Sequence, residues 1–299
     1  MEGELWPGLY RLIREEVSKR PRAARVQFSD ACILEVYLWS VIHDRPVSWA
    51  CNPENWPPQH LRERELPSCA TMSVRLRTLS LLLLMQSVQD RLRELPAALA
   101  LVRQLDSKPL VVGGYSKDRD AAWGQATAAS KSRGYKLFCG WGAAVVPDAW
   151  TLGPMNYSDP EAGVELVPKL QGCAYVLGDA NHDSNPLHAA CASCGIQLVA
   201  PRKKPGTGLG HRTHEAGRLR SIEMLECPTL LGTGPSPFGK DLYALRSHIE
   251  RRYGNLCNFG GGLQSLPSWV RRPHRVALWL AAKLIINGVR QCKKHGLMT

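Results

Sequence analysis

The apolar residues of this chain change their period near Pro96, and one layer of one element type cannot accommodate both patterns. Up to about residue 95 they recur at helical spacing. Ser29 or Asp30 is placed to cap a helix through Ile33, Leu34, Tyr37, Leu38, Val41 and Ile42, whose spacing puts the apolar groups on one face. A connection rich in Pro and Trp runs from Asn52 to Pro58. After Pro67 and the potential cap Ser68, a second helical pattern passes through Met72, Leu76, Leu79, Leu83 and Val88, with Arg75 and Arg77 near its start. Such an arrangement suits helix-turn-helix recognition of DNA, and it equally suits a helical bundle whose arginines are solvated.

Beyond Pro96 the pattern is mixed. Ala98 to Leu105 reads as a strand ending at Asp106, and Tyr135 to Trp141 and Ala143 to Leu152 read as two more, an antiparallel meander. Ser158 and Asp159 then cap a helix with Pro160 in its first turn. Ala174 to Leu177 is a short strand closing in Gly178 and Asp179, Asn185 and Pro186 open another helix, and Ile196 to Val199 forms a further strand. A stretch from Pro201 to about Gly239, rich in Gly, Pro, Lys and Arg, precedes a helix beginning near Asp241. The last helix, Val276 to Val289, is expected to pack on the sheet. The fold class is therefore α/β, a mixed sheet flanked by helices and preceded by an all-α N-terminal domain. The expected domains are residues 1–95 and 96–299, the second with a basic insertion near 201–240.

Charge is unevenly placed. Of the net +12, residues 1–200 contribute nothing, with 21 Lys and Arg against 21 Asp and Glu, whereas residues 201–299 hold 17 against 5. A polyanion is the natural partner of that last third. Charged residues interrupt any apolar stretch at the N-terminus, so a secretion signal is not expected there, and the run Leu81 to Met85 is far short of the roughly 20 apolar residues of a bilayer span. A soluble, cytoplasmic protein follows, with no membrane partner and with its ten cysteines as reduced thiols. Cys191 and Cys194 form a C-x-x-C near His182 and His188, but a second ligand pair at zinc-site spacing is missing.

Three distant carboxylates carry the chemistry. Asp106 and Asp179 close apolar runs, and strand ends are where active sites of α/β sheets gather. A strand-end Asp is also a common turn former, and Asp183, able with Ser184 to begin the next helix, is the weaker candidate. Tyr243, Arg246 and Glu250 are spaced i, i+3, i+7 on one helical face. There Glu can ligate a cation while Arg neutralises phosphate. The bland reading is an Arg246–Glu250 ion pair on a solvated face.

The passage Tyr243-Ala-Leu-Arg246-Ser-His-Ile-Glu250 resembles the Y-(2)-R-(3)-E signature of bacterial insertion-sequence transposases with a DDE triad. The segment from Asp106 through Ser-Lys-Pro-Leu-Val-Val-Gly-Gly is similar to their first-aspartate region, and Gly178-Asp179-Ala-Asn-His-Asp-Ser to their second. The order of strands and helices is that of an RNase H-like domain. The resemblance implies cleavage and joining of DNA strands with two Mg²⁺ ions, Mn²⁺ able to substitute, held by Asp106, Asp179 and Glu250. It implies double-stranded DNA, both transposon ends and target, as partner, a homodimer on that DNA, and a nucleoid location. Cys257 stands where the signature carries Lys, a phosphate contact that Arg251 or Arg252 could replace. Further DNA contacts are expected from Arg75 and Arg77 and from Arg202, Lys203 and Lys204 in the flexible basic loop. Gly260, Gly261 and Gly262 suit a hinge better than a phosphate cradle. Two rival readings remain: a related nuclease that cleaves without joining, and a transposase-derived DNA-binding protein that has lost catalysis.

Overall fold

The computed structural model describes residues 2–21, 26–61, 65–94, 101–127, 129–170, 172–204, 208–211, 213–226 and 237–298. Pro96, the first residues of the expected Ala98 strand, and positions 205–207, 212 and 227–236 of the basic insertion lie outside them. In chain order come helices α1 (Glu2–Ser18), α2 (Asp30–Ile42), α3 (Val47–Ala50), α4 (Pro58–Leu61), α5 (Cys69–Arg75) and α6 (Leu79–Glu94). Strands β1 (Val102–Val111), β2 (Ala122–Thr127), β3 (Ser130–Trp141) and β4 (Ala149–Pro154) follow, then α7 (Asp159–Leu166), β5 (Tyr175–Leu177), α8 (Asn185–Ser193) and β6 (Gln197–Val199). Helices α9 (Ala216–Glu226), α10 (Pro237–Ala244), α11 (Ser247–Cys257) and α12 (Pro273–Lys294) complete the chain. Two compact units result, Met1–Pro96 with Asn255–Thr299, and Ala97–Gly254.

The first unit is helical throughout its described residues. α2 is buried from Ala31 to Ile42, so it forms the centre around which α1, α6 and α12 pack. Its cap is Ser29, whose hydroxyl accepts the Cys32 amide at 3.2 Å. The Pro- and Trp-rich connection is explained by a cluster in which Trp39 and Trp56 stack at 4.7 Å and Trp6 meets both edge-on. The last helix, expected on the sheet, instead finds its packing against α1, α2 and α6. Its face from Val276 to Cys292 is apolar nearly all round, and such a helix needs partners on several sides. The single helix expected after Ser68 is two, α5 capped by Ser68 and α6, parted by a turn at Leu76 to Thr78 where Thr78 bonds back to the Arg75 carbonyl. The break rotates the apolar face: Leu81, Leu84, Met85 and Val88 are buried, while Leu79 and Leu83 face outward.

One cation is committed to this core. The Lys283 ammonium is fully buried and donates to the carbonyls of Val41 at 3.1 Å and Gly261 at 2.7 Å and to Asp44 at 2.6 Å. Gly261 has φ +81 and a Cβ there would meet the Ile42 carbonyl oxygen at 2.7 Å, so the middle glycine of the run serves close packing. Burial pushes the lysine down against the pull of Asp44.

In the second unit the sheet runs β2-β3-β1-β5-β6, with β4 also on β3. β1 and β4 each pair antiparallel with β3, whereas β5 lies parallel to β1 and β6 parallel to β5. The mixed sheet flanked by helices agrees with the α/β expectation. One face buries Leu105, Phe138, Val176 and Leu198 beneath Ala162 and Leu166 of α7 and Leu187 and Cys191 of α8. The other face presents Leu177 and Val199 to Leu242 of α10, joined by Met224 and Leu225 of α9. Three strand expectations need correction. β1 extends to Val111 rather than stopping at Asp106, because β3 pairs with it as far as Val111↔Gly134. Pro109 is tolerated there because β5 accompanies β1 only to Gln104, leaving an edge on which a missing N–H costs nothing. β3 begins at Ser130 because the hairpin strand β2, unsignalled in sequence, extends it, and β4 starts only at Ala149.

Removing the partner of a buried charge is costly, so Asp44→Ala should lower unfolding free energy by about 3 kcal/mol in urea titrations. Adding Lys283→Met should restore at least half of that loss. A second expectation concerns His188, which burial lowers to about 4 despite neighbouring Asp183. The unfolded chain protonates this histidine near its ordinary pH of about 6.5 and the native chain does not until about 4, so stability should fall as pH drops between them, approaching ~1.4 kcal/mol per pH unit. Urea unfolding at pH 7, 6 and 5 measures the slope, which His188→Gln should remove.

Candidate active site

β1 and β5 are adjacent and parallel, and their last paired residues are Gln104 and Leu177. Asp106 and Asp179 each lie two residues further on, so strand alternation turns both toward the face covered by α9 and α10. Asp106 sits inside β1, opposite Cys139 of β3. Asp179 leaves β5 through Gly178 and caps the short 3₁₀ turn Ala180–His182 by accepting the Asn181 amide at 2.9 Å. A Cβ on Gly178 would lie 2.6 Å from the Cβ of His182, so only glycine lets the chain fold back this tightly. The fold-back brings the buried His182 ring to 2.7 Å from Asp179 Oδ1.

Arg246 joins the acids. Its guanidinium is 3.7 Å from Asp106 Oδ1 and 3.4 Å from Glu250 Oε1. Tyr243, Arg246 and Glu250 do not share one helix as their spacing suggested. The chain breaks at Leu245 and Arg246 between α10 and α11, and this turn puts the guanidinium over the strand. Gln104 supports the turn by donating to the Leu245 carbonyl at 3.4 Å, and Tyr253 donates to the Asp106 carbonyl at 3.1 Å. Glu250 is in the first turn of α11 with its side chain 69% exposed. Tyr243 is half-buried against Leu177 and Val199, and its phenol is raised by burial, with the charges of Arg246 and Asp179 both acting on it.

The two aspartates titrate apart. Burial raises Asp106, and the charge of Asp179 adds to this while Arg246 and the Ser107 amide oppose it. Burial acts on Asp179 too, but the hydrogen bond and charge of His182, then Arg246 and the Asn181 amide, outweigh it and leave the carboxyl at about 2. Asp183, expected as a possible helix start, is instead buried and gripped by Arg218 through two bonds of 2.7 and 2.8 Å, with Ser184 capping α8. Tyr253 and Arg218 carried no signal in the sequence, whereas His182, noted there only beside the C-x-x-C, stands three residues after Asp179.

The remaining expected contacts are dispersed. Arg252 donates to the Ala144 carbonyl at 2.8 Å and lies over the Trp141 ring, so its charge is turned inward, whereas Arg251 is exposed. Arg202 pairs with Glu226, and the Lys203 and Lys204 side chains are exposed. An open pocket of about 690 Å³ beside Tyr243 is lined by Arg202, Leu225, Glu226 and Lys240. In the helical unit Arg75 is held by the Phe28 carbonyl at 2.7 Å and Asp30 at 2.6 Å, while exposed Arg77 folds back onto Ser73.

A family model described as the transposase DDE domain matches residues 98–286. The chain belongs to this family, the DDE transposases, a class of nuclease-type enzymes that act on DNA. No curated protein and no solved structure gives a significant match. No helix among the described residues is long and apolar enough to cross a membrane.

Members of the family generally use divalent metal ions. Among the described residues no three His, Cys, Asp or Glu side chains are grouped to hold one. The chemistry of Asp106 and Asp179 nonetheless fits a hard cation: two carboxylates at matching register on one face, with the cationic Arg246 already drawn to them.

His182→Ala should raise Asp179 from about 2 toward the ordinary carboxylate value near 3.9. Because the folded value lies below the unfolded one, the aspartate adds stability above about 3.9 that is lost as pH falls toward 2. In the variant that contribution should shrink and its loss should be complete at a higher pH, with the raised carboxyl read directly by carbon-13 titration.

Proposed function

We propose that this chain is an insertion-sequence transposase that cuts and joins DNA strands at Asp106, Asp179 and Glu250. The observation that supports the reading is the parallel β1/β5 register, whose last pair both Asp106 and Asp179 follow by two residues, with the charge of Arg246 acting on each. The order β4-β3-β1-β5-β6, with three antiparallel strands and two parallel ones, supports an RNase H-like domain, and the Y-R-E spacing agrees with the insertion-sequence group.

Asp106 and Asp179 would hold Mg²⁺, or Mn²⁺ in its place, and Glu250 would serve a second ion. Such ions supply activation of a water or 3′-hydroxyl and neutralisation of the departing oxygen. The protein's own part is positional. Arg246 balances the carboxylates in the free chain and can turn a guanidinium fork to a phosphate when DNA enters. His182 holds one oxygen of Asp179 and so aims the other, and Tyr253 fixes the backbone of Asp106. Arg251 and the exposed Lys203 and Lys204 would meet phosphates, while residues 1–95 would bind transposon ends and a second copy would complete the paired complex on nucleoid DNA.

Replacing Asp106 or Asp179 by Asn, or Glu250 by Gln, should abolish Mg²⁺-dependent nicking and strand joining on labelled duplexes while DNA binding persists. Arg246→Ala should lower the rate about 10- to 100-fold, as removal of a supporting partner does. Unchanged nicking in any carboxylate variant would remove that residue from the site. Binding without nicking by the unaltered chain would favour a transposase-derived DNA-binding protein, to which Cys257 in place of Lys points, and hydrolysis without joining would favour a nuclease.

A further inference from the structure

The catalytic face of the sheet continues well past the carboxylates. Asp106 pairs with Cys139, and counting by twos along β3 puts Leu137, Tyr135, Arg133 and Lys131 on that same face. Arg133 pairs with Trp123 and Lys131 with Gln125, which carries the face onto β2. The reverse side of this hairpin is closed, since a Cβ on Gly124 would meet the Met155 carbonyl oxygen at 2.3 Å.

The loop from β1 to β2 is built over this face. Arg133 donates to the carbonyls of Ala121 at 2.9 Å, Ser116 at 3.0 Å and Asp118, and Tyr135 donates to buried Asp118 at 2.9 Å. Buried polar groups thus fix one loop conformation. What that conformation holds outward is Tyr115, fully exposed, with exposed Lys117 and Arg119. Beside them Trp123 is 67% exposed, and Lys131 is exposed as well. No described carboxylate pairs with Lys108, Lys117, Arg119 or Lys131. Large exposed aromatics interleaved with unpaired cations on a rigid support match a sugar-phosphate chain, whose phosphates take the charges and whose sugars and bases offer apolar faces.

Along β3 the eight steps from Cys139 to Lys131 span roughly 27 Å. At ~3.4 Å per base pair that is about eight base pairs of duplex. We propose that the β1–β2 loop and the β2–β3 hairpin form a second DNA grip, holding duplex about eight base pairs from the phosphate at the carboxylates. The grip rests on the transposase reading and extends it to a defined surface.

The test uses the full chain with a fluorescein-labelled 30-base-pair duplex of arbitrary sequence, titrated at several salt concentrations. The triple variant Lys117→Gln/Arg119→Gln/Lys131→Gln should bind at least tenfold more weakly at 0.1 M salt, and the slope of log K against log salt should shrink by about 3. In otherwise unaltered protein, a photo-crosslinking amino acid in place of Tyr115 should attach to the duplex, which decides the matter even if the triple variant is misfolded. Wild-type affinity and slope in a folded triple variant, or no crosslink, would overturn the grip. Mg²⁺-dependent plasmid nicking by the wild-type chain keeps the two readings apart: nicking without a grip defeats only this proposal, and absence of both binding and nicking defeats both.

Discussion

Two carboxylates stand where neighbouring parallel strands stop pairing, Asp106 within β1 and Asp179 just past β5, and like charges so placed repel. The β1/β5 pairing ends at Gln104 and Leu177, and the two aspartates follow it closely enough that the charge of Asp179 raises Asp106. Each is answered by a different device. Asp179 has His182, brought within reach by a turn that only Gly178 permits, and Asp106 has Arg246, delivered by a break between two short helices. Burial raises one acid while hydrogen bonding lowers the other, so one sheet face holds two electrostatically distinct oxygen donors.

The length of β1 matters as much as its position. Because its pairing with β3 continues to Val111, Asp106 stands in the middle of a rigid strand rather than on a mobile strand end. The same continuation carries a single face from the acids to the loop fixed by Arg133 and Asp118. In sequence, residues 1–200 are electrically balanced, which hides this face. The fold restores an imbalance by turning Asp118 inward to Tyr135 and leaving Lys117, Arg119 and Lys131 outside.

Local signals were legible wherever a helix or strand depends on its own residues. Ser29, Ser68, Ser158 and Ser184 all cap helices, Ser158 with Glu161 in a reciprocal capping box, because a hydroxyl beside free amides is a short-range matter. The strands at Tyr175–Leu177 and Gln197–Val199 sit where apolar runs are bounded by turn residues. Illegible were the breaks inside apolar patterns, at Leu76 to Thr78 and at Leu245 and Arg246. A periodicity continues across a turn whenever the two helices bury related faces, so spacing alone reads them as one. The strand β2 was also hidden, since Ala-Trp-Gly-Gln-Ala-Thr has little β preference and takes its shape from pairing with β3.

What the sequence by itself determined is the set of parts: an α-helical first segment, an alternation of strands and helices after it, three acids in transposase-like surroundings, and membership of a family whose model spans most of the chain. Which parts meet was decided by the tertiary structure. Register ended the β1/β5 pairing two residues before both Asp106 and Asp179, a helix break put Arg246 between Asp106 and Glu250, and packing gave the last helix to the first helices. The physical reason is range. Caps and turns are settled within about four residues by hydrogen bonds to neighbouring amides. Strand register and helix docking depend on burying surfaces separated by tens to hundreds of residues, and no local pattern records which surface will be the partner.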